Sequence, residues 1–190
     1  MKRLSDFRRE EGGIAALEFA LILPVMITLL FGLIEFPRAY GVSQGLSRAA
    51  RTMADLISRG SLSDLTDVYA AGNSVTYPYD TSAAGIVLTV VGVYAKSASD
   101  PTLEARVCSS DARNATKRVA NSVIGPPVPS EAVAGNRYVM AEVTFTYTPV
   151  VNLFPMLKGL GLSKTVTWPT RGTGANTNAQ IVLGSGSPCP

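Results

Sequence analysis

The chain has 190 residues, 17 Lys and Arg against 14 Asp and Glu, a formal charge of +3, two cysteines and no histidine. That length holds one modest domain plus an attached element, and the missing histidine removes Ser-His-Asp and Cys-His mechanisms along with the commonest zinc ligand. Two cysteines 81 positions apart make neither a CxxC redox pair nor a four-thiolate metal site, and +3 over such a chain is far from a nucleic-acid-binding stripe.

Hydrophobic residues make up 46% of the chain, unevenly. Residues 1–13, MKRLSDFRREEGG, are polar and carry Lys2, Arg3, Arg8 and Arg9. Residues 14–36, IAALEFALILPVMITLLFGLIEF, then hold 18 apolar side chains in 23. At about 1.5 Å per residue this run crosses a hydrocarbon core of about 30 Å. It is longer than the apolar region of a cleaved secretory signal and ends without a small-residue A-x-A site. A membrane-spanning helix over 14–36 is therefore expected, and Pro37 should break it at the membrane exit.

Two carboxylates mark this helix. Glu35 sits at the far end, where an interfacial residue reaching headgroups is the expected reading. Glu18 lies within the apolar run, where an acidic group costs roughly 2.5–3.5 kcal/mol at full depth and less near the end. Either it is a tolerated near-interface residue or it pairs with a positive group in an assembly. Arg38, Arg48, Arg51 and Arg59 come after the helix, so basic residues flank it on both sides and their count alone does not orient it.

Residues 37–72 read as an amphipathic helical continuation. Over 43–59, Leu46, Ala49, Ala50, Met53, Leu56 and Ile57 share one face, Arg51 and Asp55 make an i,i+4 pair, and Gly60 is a C-cap. A short helix over 63–71 has Ser63 as N-cap and Gly72 as stop. The remainder, 73–190, reads as a β-rich domain with a flexible tail. Strands are expected at 86–94, 103–109, 138–147 and 163–168, with a weak one at 181–183. Within 138–147, Val139, Ala141, Val143, Phe145 and Tyr147 share a face. Segments 110–137 and 170–190 are loop-like, with a rigid Gly-Pro-Pro-Val-Pro spacer at 125–129. The resulting fold class is α+β, with a long N-terminal helix and an antiparallel sheet of about four strands.

Cys108 and Cys189 could bond in an oxidising compartment, closing a loop of about 80 residues, with two free thiols or an intermolecular bridge as the alternatives. The apolar stretch 150–162, VVNLFPMLKGLGL, is too broken by Pro155, Gly159 and Gly161 to span a membrane, and serves either as core or as a contact surface. Searches for P-loop, zincin, EF-hand and nucleophile-elbow patterns find nothing, and Asp64, Asp67 and Asp80 form no carboxylate dyad. No catalytic residue, metal ligand or cofactor is expected, and the chain reads as a non-enzyme.

The string Gly13-Ile14-Ala-Ala-Leu-Glu18-Phe19, leading into the apolar run, looks like a type IV prepilin cleavage site. The wider segment GGIAALEFALILPVMITLLFGLIEFPRAY resembles the N-terminal region of TadE/TadG-like proteins of tight-adherence (Flp pilus) systems. Phe19 stands where the major Flp pilins carry Tyr. The resemblance implies that a prepilin peptidase removes residues 1–13, making Ile14 the new N-terminus. It also implies that Glu18 neutralises the terminal amine of a neighbouring subunit as helices pack. The partners implied are other pilins or pseudopilins, the pilus secretion machinery, the peptidase and membrane lipid, with no nucleic acid and no small-molecule substrate. The place implied is the bacterial inner membrane, with a single span and the bulk of the chain periplasmic. An unprocessed membrane scaffold of the same apparatus is the alternative, and a membrane-anchored enzyme or binding domain the remoter one.

Overall fold

The computed structural model describes residues 11–151, 153–171, 180–184 and 186–189. The predicted leader up to Glu10 lies outside the described residues.

One helix, α1 (Glu11–Ile57), runs for 47 residues, about 70 Å. It passes through both Pro24 and Pro37. The expected break at Pro37 does not occur, because the chain is clamped on both sides of it. Glu35 is held by the head domain just before, and Ala39, Val42 and Leu46 are buried just after. Such tertiary anchoring outweighs the roughly 3 kcal/mol penalty of an interior proline. The two halves of α1 differ in what they bury. Residues 13–30 are exposed throughout, whereas Leu46, Ala49, Ala50, Met53, Ala54 and Ile57 lie in the core. The predicted 43–59 face is thus realised, with Ala54 added and Leu56 only partly buried.

The second helix, α2 (Thr66–Ser74), starts later than expected. Asp64, not Ser63, organises its entry by accepting from the Thr66 N–H and hydroxyl at 2.8 and 2.7 Å. Gly72 is a buried residue within the helix and not its stop. An added Cβ there would lie 2.6 Å from Met53 Sδ, so the glycine lets α2 close onto α1.

Five strands complete the head: β1 (Gly85–Ala95), β2 (Leu103–Arg113), β3 (Val123–Gly125), β4 (Arg137–Tyr147) and β5 (Leu160–Pro169). They form one antiparallel sheet in the order β3-β2-β1-β4-β5. Strands β1 to β3 run as neighbours and β4 returns beside β1, a Greek-key order, with β5 added as a hairpin partner. The segment 110–137 is accordingly not all loop, since β2 extends to Arg113 and β3 lies within it.

The main core lies between α1 and one sheet face, where the helix packs on β4 and β5 and its buried residues share a cluster with Leu88, Val90, Val139, Ala141 and Val143. Val91, Val93, Ala105, Tyr138 and Met140 form a second cluster, with Leu103, Ile124 and Val128 against it. The tail expected to be flexible contributes Ile181, Leu183 and Cys189 to the main core. Its expected strand reduces to one parallel bridge between Leu62 and Leu183.

Candidate functional site

The residues singled out at the N-terminus all lie on the bare half of α1. Gly13 has no neighbour within 4 Å of a notional Cβ, and Ile14, Glu18 and Phe19 are exposed. Ile14 and Glu18 are four residues apart, so they sit one above the other on one helix face. The head domain touches none of these positions. Among the described residues no side chain forms an ion pair with Glu18. The helix has the length and composition to cross a membrane, and no part of its apolar window is buried by protein.

Where α1 enters the head, a second constellation appears. Glu35 is 1% exposed. Its Oε2 accepts from the Tyr147 hydroxyl at 2.6 Å, and its Oε1 from the backbone N–H groups of Val150 and Val151 at 2.5 and 3.0 Å. Glu35 therefore does not reach for headgroups; it is a buried acceptor for the loop that leaves β4. Charge-assisted hydrogen bonds of this kind are what make a buried carboxylate tolerable. Burial, with the Glu35 carboxylate second, pushes the Tyr147 phenol up to about 12. Beside this knot the Phe154 ring packs on Phe36, with centroids 5.4 Å apart, and reaches Gly32.

Sequence reasoning missed this junction. Its signal is a carboxylate inside an apolar run, which needs donors, and Tyr147 with the irregular 148–151 segment supplies them. At the far end of α1, Asp55 pairs with Arg59 and with Arg171 at 3.1 Å, in place of the expected Arg51. Arg171 in turn stacks over Trp168 at 5.5 Å.

Cys108 and Cys189 are bonded. The register of β1 against β2 slips between Val90 and Val91, leaving Cys108 as the extra residue between Val107 and Ser109. This bulge re-aims the strand toward the C-terminal segment. Cys108 takes the bond to Cys189, and the Ser109 hydroxyl accepts from the Leu183 N–H at 3.1 Å. Among the described residues no three Cys, Asp or Glu side chains come together as a metal set.

Comparison with known proteins places a name on the first of these regions. Residues 13–55 match the family model of TadE-like proteins, covering the bare apolar half of α1 and most of its buried half. No curated protein and no solved structure matches the chain.

Proposed function

We propose that this chain, TadE-like over residues 13–55, is a minor pilin (pseudopilin) that takes part in assembling a Flp-type, tight-adherence pilus. It acts by helix packing and head contacts, without catalysis. The observation that carries the reading is the bare half of α1: an apolar helix with no protein cover and an exposed Glu18 one turn beyond Gly13 and Ile14.

Cleavage after Gly13 creates an α-ammonium at Ile14, and the Glu18 carboxylate of a neighbouring subunit meets it as the helices pack. Two such charges lose hydration in the membrane and repay it only when buried together, so the pair couples to assembly and not to monomer stability. The peptidase acts on the cytoplasmic side of the inner membrane, and the head stands on the periplasmic side. An oxidising compartment there suits the Cys108–Cys189 bond.

A second reading is an unprocessed single-pass scaffold of the same apparatus. It is favoured by the helical backbone that continues unbroken through Gly13 and Ile14, since a peptidase must unwind that turn to cut it. Mass spectrometry of membrane-extracted protein separates the two. The pilin reading expects Ile14 as the N-terminus, and a chain that retains Met1 leaves the scaffold standing. Glu18→Ala should leave cleavage intact and reduce surface pili strongly; normal piliation would refute the pairing mechanism.

A further inference from the structure

We propose that the head carries a second membrane contact: the loop between β4 and β5, through Val150, Leu153, Phe154 and Met156, dips into the leaflet through which α1 leaves the membrane. The inference rests on reading residues 14–36 as the membrane span. Its ground is depth. Phe154 packs on Phe36, the last apolar residue of the span, and its Cζ would lie 3.4 Å from a Cβ added at Gly32. Gly32 is four residues, about 6 Å, inside the end of that run. A ring held against Gly32 is therefore level with hydrocarbon if the apolar run is.

The rest of the segment suits that depth. Val150 is 67% exposed, Leu153 40% and Met156 75%, so the loop that sets Phe154 against Gly32 carries bare apolar side chains of its own. In water this would be a bare patch of the kind that marks an interaction site, and one lipid surface covers helix and loop together. Irregular backbone is tolerated at such depth only where its polar groups are paired within the protein. Here the Val150 and Val151 N–H groups end on Glu35, and those of Leu157, Lys158 and Gly159 reach the carbonyls of Phe154, Pro155 and Tyr147 at 3.0, 3.2 and 3.2 Å. Pro149 and Pro155 bring no N–H at all. The sequence of 148–159 has one charged residue, Lys158, which is exposed and suited to a phosphate headgroup. Exposed Tyr40 stands on α1 one turn beyond Phe36, as an interfacial aromatic does.

The test uses the full chain reconstituted in phosphatidylcholine vesicles, with and without acyl chains brominated in their upper half. Met156→Trp places a fluorophore on the loop. Native Trp168 lies beside Arg171 and Asp55, and Asp55 is 20 residues, roughly 30 Å, further along α1 than Glu35, so it reports the distal head. Val133→Trp, exposed just before β4, is a second distal control. Met156→Trp should emit at shorter wavelength and lose at least half of its added signal to brominated lipid, while Val133→Trp and native Trp168 keep theirs. Leu153→Trp repeats the measurement should Met156→Trp fold poorly. Long-wavelength emission that bromine does not quench would overturn the proposal. So would a blue shift that grows with the protein-to-lipid ratio and resists bromine, which would assign the patch to a second copy. Alkaline carbonate washing separates the failures. A chain retained in the vesicles but unquenched loses only the loop contact, whereas a chain washed off loses the span and the loop contact with it.

Discussion

Glu35 receives three hydrogen bonds at a point where an apolar helix meets a protein head, and those bonds decide what the residue is. With its oxygens occupied by Tyr147, Val150 and Val151, the carboxylate is an internal cap for a loop. Tyr147 records the arrangement in its own titration. Its phenol is raised from an ordinary value near 10 to about 12, so it binds its proton more tightly folded than unfolded. That stabilisation is complete below pH 10 and is lost as the pH rises from 10 to 12. The difference between alkaline absorbance titrations of the native chain and Tyr147→Phe should isolate a step near 12. A step near 10 would mean that the hydroxyl is not held as described.

At the scale of elements, α1 departs most from what its residues suggest locally. Pro37 argues for a break and Gly41 for a weak turn, yet the helix runs through both because the sheet packs on the same stretch. Gly41 is needed for that packing: a Cβ there would lie 2.2 Å from the Tyr79 hydroxyl oxygen, so the ring and helix are in contact. Gly41→Ala should cost about 1–3 kcal/mol by overpacking. Combining it with Tyr79→Ala should recover part of the loss in a double-mutant cycle, read by thermal unfolding. Additive losses would show that the two do not meet.

The same scale shows what could be read beforehand. Four of the five strands come from β-branched runs and alternation, and the buried helix face from its 3.6-residue period, because both are set by residues close in sequence. The bulge at Cys108, the short β3 and the entry of Ile181 and Leu183 into the core depend on partners far along the chain. The same holds for the site. The Gly13-to-Phe19 motif is local and legible, whereas the Glu35–Tyr147 contact spans 112 positions and leaves only an odd carboxylate as its sign.

For the molecule as a whole, the C-terminal segment completes the main core beside β2. Ile181, Leu183 and Cys189 are buried in that core, with Leu183 bridged to Leu62 and its N–H donating to the Ser109 hydroxyl. The Cys108–Cys189 bond ties that segment across 81 positions. Cys189→Ser, with Cys108→Ser to avoid a free thiol, should lower stability by about 2–5 kcal/mol and mimic the effect of a reductant on the native chain. An unchanged unfolding midpoint in reductant would show that packing of the tail suffices alone.

A continuous α1 fastened to its head by Glu35 transmits rotation. Glu18 and Glu35 are 17 residues apart, which at 3.6 residues per turn sets them about 100° apart around the axis and about 25 Å along it. In the proposed pilin reading, a neighbour that engaged Glu18 would fix the compass bearing of the head, roughly a quarter-turn from the line of contact. The orientation of each head in such an assembly would then be written in the phase of one helix.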